Sequence, residues 1–509
     1  MKTVLFAYNA SHYHTCLSIR ALRSAARDLP SHPEVRILEF SLKDKRDSVL
    51  YSLYRENADV YGFSAYVWNI TETLYVAESL KKLRPECRIF FGGPEVSYKA
   101  DEILEKYPFI DTVMIGEGEE GIKELISLYP DIPKKIYGSP DRKFLSRRPH
   151  YFLDDGTPEQ LPDGKLLYYE SSRGCPFSCG YCLSGNDCTV VAKSAEDTLS
   201  DLYEFEKLRG SAPRTVKLVD RTFNSDLKRA KAIWRGLLDE RYTNTYHFEV
   251  QPSILDDEAI RILASAPKGK FQLEAGIQST DPRVLKECGR GGSIKNELLN
   301  LQKLKAVENV PVHVDLICGL PLDTLDSIRR SVNGVYHLSD ELQIGFLKLL
   351  SGTAIGSSAE KYGIRYRTEP PYEVLCTDTL SFEDIYLLKG IAHTVDRVAN
   401  SGKFSLALRF LLGDTPHKFV PKHGSDALSP NDPPHAYVTP FDLFSALSGA
   451  LGGNPAAYSQ AAMYDLLYAE GLKFIDSAEG RERFTELCRE DFRRCERTRM
   501  PPLLAAGNI

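Results

Sequence analysis

The 509-residue sequence has no apolar run near the about 18 residues that a membrane-spanning helix needs, which argues against a helical membrane protein. Positive charge is not in excess. Lys and Arg total 64 against 70 Asp and Glu, a formal net charge of −6, so there is no basic footprint for nucleic acid. A paired cysteine framework is also missing: eleven cysteines are scattered along the chain, as expected in a reducing compartment. Nor does the chain open on a signal peptide, because the short apolar run Met1 to Ala7 stops at Tyr8-Asn9 and reads as a first strand. These absences make a soluble cytoplasmic protein the expectation. The length provides material for about two to four domains.

What is present centres on Ser171-Ser172-Arg173-Gly174-Cys175-Pro176-Phe177-Ser178-Cys179-Gly180-Tyr181-Cys182, with three cysteines at Cx3Cx2C spacing. Thiolates are soft ligands for iron–sulfur clusters or zinc, and a short loop with Gly and Pro lets three of them converge on one small inorganic group. A closed zinc site or an ordinary [4Fe–4S] centre takes four protein ligands. Three ligands leave one iron open, whereas recruitment of Cys188 would complete a zinc loop instead. Cys175, Cys179 and Cys182 with Tyr181 resemble the signature of the radical S-adenosylmethionine (SAM) superfamily. The resemblance implies metal ligation by those three cysteines and SAM chelating the open iron beside Tyr181. An electron from the cluster then cleaves SAM to methionine and a 5′-deoxyadenosyl radical.

Up to about residue 130, short apolar runs at Val4–Ala7, Val35–Phe40, Val60–Ser64, Ile89–Gly92 and Thr112–Ile115 alternate with helical patterns, which predicts a doubly wound, Rossmann-like parallel sheet. Ligands of such sheets sit beyond the carboxyl ends of the strands. Those positions carry Asn9 to His14, then Ser64, Tyr66, Trp68 and Asn69, then Gly92-Gly93-Pro94-Glu95, then Gly116-Glu117-Gly118. Taken together, the GGPE and GEGEE turns resemble the cobalamin-binding domain that precedes many radical SAM domains. The resemblance implies a cobalamin site made by Asn9, His14, Ser64, Tyr66, Trp68, Asn69, Gly92, Gly93, Pro94, Glu95, Gly116, Glu117 and Gly118. The D-x-H-x-x-G motif of cobalt-ligating relatives is missing, so no histidine is expected on cobalt and Tyr66 or Trp68 is expected under the corrin.

Residues 131–165 read as a Pro- and Gly-bearing linker. Over 166–352, strands at Leu167–Tyr169, Thr215–Val219, Tyr246–Val250, Phe271–Ala275, Val312–Ile317 and Leu342–Leu349 alternate with helical stretches. Six such units fit the partial (β/α)6 barrel of radical SAM proteins, with the active site at the strand carboxyl ends. Asp220, Arg221, Glu274, Gln278 and Asp315 fall at or near those ends and offer the acceptors and the cation that SAM requires. The run His313 to Pro321 resembles the fifth-strand SAM motif, which implies Asp315 on ribose and Ile317 on adenine, while Glu274 and Gln278 match the polar fourth-strand position. Residues 353–509 read as a mostly helical domain, ending in a charged run over 480–499 that is expected to be a solvated helix face.

The whole resemblance is to cobalamin-dependent radical SAM proteins of a subgroup with an uncharacterised C-terminal helical domain. It implies a [4Fe–4S] cluster, SAM and cobalamin as cofactors, a small-molecule or natural-product substrate, and an electron donor such as reduced flavodoxin or ferredoxin. The expected activity is C-methylation of an unactivated carbon through a 5′-deoxyadenosyl radical and methylcobalamin. Two other readings are oxidation or rearrangement with the same cofactors, and a cobalamin-responsive regulatory protein.

Overall fold

The computed structural model describes residues 1–138, 152–154, 157–186, 188–208, 213–413, 438–452, 458–496 and 499–506. These divide into two compact units. The first holds Met1–Gln272 with Lys348–Ala359 and Tyr366–Glu373, and the second holds Leu273–Leu347, Glu360–Arg365 and Val374–Ile509.

The first unit begins with β1 (Lys2–Asn9), α1 (Leu17–Ala26), β2 (Glu34–Ser41), α2 (Arg46–Glu56), β3 (Val60–Ser64) and α3 (Ile70–Leu83). It continues with β4 (Arg88–Gly92), α4 (Pro94–Ser97), α5 (Ala100–Lys106), β5 (Thr112–Gly116), α6 (Gly118–Leu128) and β6 (Lys135–Gly138). All six strands pair in parallel in the order β2-β1-β3-β4-β5-β6. Both faces are covered, which is why β1 reads as an unbroken apolar run instead of an alternating one. Phe6, Phe63 and Phe91 pack on one face, and Leu5, Phe90 and Met114 pack on the other with Ile19 of α1 and Ile122 of α6.

The sixth strand corrects the reading of a linker over 131–165. Lys135–Gly138 registers on Val113–Gly116, although Pro133 before it and Gly138 at its end give it the look of a loop in sequence. Residues 139–151 of that stretch lie outside the described residues. Glu159 is described, and its carboxylate accepts from Arg20 Nη2 at 2.8 Å and Arg23 Nη2 at 3.3 Å on α1.

A second parallel set follows with β7 (Leu167–Tyr169), β8 (Thr215–Leu218) and β9 (Thr245–Glu249), then β10 (Phe271–Gln278), β11 (Val312–Cys318) and β12 (Glu341–Phe346). Their sheet order is β7-β8-β9-β10-β11-β12, the arrangement of an open (β/α)6 barrel. Helices separate successive strands, among them Ala195–Glu206, Leu227–Leu237 and Asp257–Ala264 in the first unit, each with a side-chain N-cap from Ser194, Asp226 or Asp256.

In the second unit, helices Phe382–Thr394, Ser405–Leu412, Pro440–Ala450, Gln460–Leu472 and Ala478–Cys495 form the C-terminal part. The last of these covers most of the charged 480–499 run. It is amphipathic and not solvated all round, because Phe484, Leu487, Cys488 and Phe492 are buried along one side. No helix among the described residues is long and apolar enough to cross a membrane.

Candidate cofactor site

The carboxyl ends of β1, β3, β4 and β5 open onto a cavity of about 920 Å³ in the first unit. Asn9, His14, Ser64, Tyr66, Trp68, Gly92, Gly93, Pro94, Gly116, Glu117 and Gly118 line it. Mid-strand residues Leu5, Gly62, Phe90 and Met114 line it as well, together with Ile19 and Leu22 of α1, so it extends back between the sheet and the helices. A cavity of this size, lined by apolar side chains and by polar turns, suits a large, partly apolar ligand.

Two expected cobalamin contacts do not line this cavity. Asn69 is buried and braces the β3 turn: its Nδ2 donates to the Tyr8 and Ser64 carbonyls, each at 3.1 Å, and its Oδ1 accepts from Tyr66 N at 2.8 Å. Glu95 is also buried, held by Lys99 Nζ and the Tyr372 hydroxyl. Both residues brace the cavity-lining turns from behind. His12 is exposed near Asp44 and does not line the cavity.

Tyr66 and Trp68 stack at a centroid distance of 4.3 Å and an interplanar angle of 13°. Burial pushes the Tyr66 phenol up to about 12. His14 Nδ1 lies 2.6 Å from the Tyr168 hydroxyl, and burial, followed by Lys217 and Lys165, lowers its pKa, so the ring is neutral at neutral pH. The Ser18 and Ser64 hydroxyls sit 3.2 Å apart, with Cys16 Sγ 3.2 Å from Ser18. Cys16, Ser18, Tyr168 and Met114 all line the cavity, yet sequence reasoning missed them because none belongs to a turn motif or a spaced ligand set.

The cysteine loop follows β7. Cys179 is buried and Cys175 and Cys182 are half-buried, and none of the eleven cysteines forms a disulfide. Cys182 N donates to Cys179 O at 3.0 Å and Gly185 N to Cys182 O at 3.1 Å, so the loop curls into the short helix Leu183–Asn186. Among the described residues no three His, Cys, Asp or Glu side chains converge on a point for a single metal ion. A cubane does not require this, since each thiolate binds its own corner iron. The donor set, three cysteines outside any disulfide on one tight loop, fits such a cluster. Tyr181 is half-buried between the last two cysteines, and Cys188 is exposed with its thiol 3.7 Å from Gly185 O.

Asp220 was expected to face SAM, but it is fully buried and its carboxylate is taken up by the chain. Oδ1 accepts from Ser171 N and Ser172 N, each at 2.7 Å, and Oδ2 accepts from Ser171 Oγ. Burial raises its pKa, and those donors work against the rise. Its role is to anchor the entry to the cysteine loop. The neighbouring Arg221 is exposed and lines both the large cavity and an adjoining one of about 330 Å³.

In the second unit, β10 and β11 alternate buried and half-buried residues, so Glu274, Gln278, Asp315 and Ile317 fall on the half-buried face. A register shift between Gly276 and Gln278 puts Gln278 at φ 69° and leaves its buried Oε1 without a partner among the described residues. An orphaned acceptor on that face fits a hydrogen-bonding ligand such as SAM.

A model of the B12 binding domain matches residues 5–126, and one of the radical SAM superfamily matches residues 169–333. A family described as a protein of unknown function (DUF4080) matches residues 360–420. The chain thus carries a B12-binding domain followed by a radical SAM domain, and the cofactors that fit these domains are cobalamin, SAM and a [4Fe–4S] cluster. It is 26% identical over 350 residues to the cobalamin-dependent radical SAM methyltransferase TokK of Streptomyces tokunonensis, covering 60% of this chain and 50% of that protein. It is 23% identical over 351 residues to the 2-(S-pantetheinyl)-carbapenam-3-carboxylate methyltransferase of Streptantibioticus cattleyicolor, covering 61% and 50%. The chain thus spans about half the length of these curated relatives. Its fold is shared with the radical SAM methyltransferase TsrM of Kitasatospora setae, solved with cobalamin and a [4Fe–4S] cluster. There the TM-score is 0.60 at 15% identity, covering 97% of this chain and all of that one.

Proposed function

We propose that this protein is a cobalamin-dependent methyltransferase that methylates an unactivated carbon of a small-molecule substrate. The observation that carries the reading is the shared lining of the large cavity: turns of the B12-binding domain face it together with Tyr168, Glu170 and Arg173, which flank the cysteine loop. Methyl transfer to a carbon radical needs both cofactors at one substrate, since a diffusing radical would be quenched first. When bound, the cofactors supply the methyl group and the radical.

The chain's own residues bind and orient. Cys175, Cys179 and Cys182 would hold the cluster as thiolates. In the first unit Tyr181 would face SAM, with Arg221 offering a cation to a carboxylate; in the second, Glu274, Gln278, Asp315 and Ile317 keep the SAM contacts that the family resemblance implies. Gly92, Gly93, Pro94 and Gly116 to Gly118 would pass close under the cobalamin, with Asn9, His14, Ser64, Tyr66 and Trp68 around it. An apolar Tyr66–Trp68 pair at the lower face would keep water from the metal. A low-potential protein such as reduced flavodoxin or ferredoxin would supply electrons.

Anaerobic protein loaded with iron, sulfide and cobalamin is expected to convert SAM into two products under reducing conditions. S-adenosylhomocysteine would mark methyl donation and 5′-deoxyadenosine would mark radical initiation, both quantified by liquid chromatography and mass spectrometry. Formation of 5′-deoxyadenosine without any cobalamin-dependent S-adenosylhomocysteine would favour oxidation or rearrangement.

A further inference from the structure

We infer that Arg173 is a positioning residue that couples cobalamin binding to the cysteine loop. Only Gly174 separates it from Cys175. Gly174 sits at φ 88°, and a Cβ there would fall 2.0 Å from the Thr189 carbonyl oxygen, so this step of the chain is tightly packed and closed to side chains. A displacement of Arg173 is therefore passed on to Cys175.

Three carboxylates grip the guanidinium. Nη1 donates to Glu117 at 2.8 Å, Nη2 to Glu119 and to Glu170 at 2.8 Å, and Nε to Glu170 at 2.9 Å. Glu117 and Glu119 flank Gly118 at the start of α6, and all three line the 920 Å³ cavity. One side chain thus joins the turn that faces the cobalamin cavity to the loop that carries the first cluster cysteine.

The link is stiff for an electrostatic reason. An exposed ion pair is worth little, but here the side chains of Arg173, Glu119 and Glu170 are 21%, 7% and 18% exposed. One cation serves three carboxylates, so withdrawing it would leave part-buried negative charges facing one another. Burial already pushes the Glu170 carboxyl upward, with Glu119 and Asp220 adding to the rise against the pull of Arg173. The β5–α6 turn and the cysteine loop therefore keep one arrangement, and a cofactor that fixes either favours the arrangement the other needs.

This inference rests on cobalamin occupying the cavity, and the test separates the two ideas. The full-length protein is titrated anaerobically with hydroxocobalamin, once with the cluster reconstituted and once iron-free. The wild type is expected to bind about tenfold more tightly with the cluster present, within the usual range of coupling between sites. Arg173→Met is expected to bind both cofactors while the ratio of the two affinities falls to about one. A merely structural role would weaken both affinities and leave the ratio alone. Equal wild-type affinities in the two states, or an Arg173→Met ratio equal to the wild type's, would overturn the coupling. If Arg173→Met does not fold, Glu119→Gln serves in its place: the ratio is expected to fall, and an unchanged ratio overturns the proposal. A wild-type protein that binds no cobalamin in either state would instead overturn the assignment of the cavity.

Discussion

Replacing Gly93 by valine is expected to weaken cobalamin binding by about a hundredfold while leaving the iron content unchanged. Gly93 adopts φ 117°, a region that β-branched residues avoid. Its added Cβ would lie 2.4 Å from Ala65 O and 3.2 Å from Ala65 N, backbone atoms of the adjoining turn that cannot swing aside. That backbone is already committed: Ala65 N donates to Gly92 O at 2.8 Å, and Ala65 O accepts from Glu95 N at 3.3 Å. Relieving the clash must move the turns after β3 and β4 apart, and residues of both line the cavity. Backbone strain of about 1–3 kcal/mol, with the displaced cavity wall added, accounts for a loss of that size. Titration with hydroxocobalamin followed by absorbance measures it, with circular dichroism reporting the fold. Binding at wild-type affinity would contradict the placement of cobalamin against this turn.

Substitution of Cys175, Cys179 or Cys182 by alanine, one at a time, is expected to remove nearly all of the about four irons per chain that anaerobic reconstitution should give. SAM cleavage should disappear with them. Cys188→Ala is the control. Although Cys188 lies six residues beyond Cys182, its thiol is exposed and turned to the Gly185 carbonyl oxygen at 3.7 Å, so iron content should match the wild type. Iron and acid-labile sulfide assays decide the matter. Loss of iron in Cys188→Ala with retention in Cys175→Ala would mean a different ligand set.

Sequence period revealed both parallel sheets because their strands are buried on two sides or alternate cleanly, and such patterns are local. The cysteine loop was legible for the same reason, its ligands falling within eight residues. What escaped was set by partners far along the chain. Asp220 looks like a ligand at a strand end, and only the fold brings Ser171 and Ser172 to neutralise its acceptors. Asn69 and Glu95 stand in cavity-lining turns but point into the protein, Glu95 toward a tyrosine 277 residues away. The grip of Glu117 and Glu119 on Arg173 spans more than fifty residues and leaves no periodic trace. Strand β6 is four residues long with only Ile136 fully buried, too short and too exposed to stand out from its Pro-flanked surroundings.

The central claim is that this chain uses its cobalamin to move a methyl group from SAM. The most direct measurement supplies SAM with a trideuterated methyl group to fully loaded, anaerobic, reduced protein and then extracts the corrinoid for mass spectrometry. The account predicts the intact labelled methyl group on the corrinoid from the wild type, and far less labelled corrinoid from Gly93→Val loaded at a cobalamin concentration that just saturates the wild type. An unlabelled corrinoid from wild-type protein that is producing 5′-deoxyadenosine would contradict it.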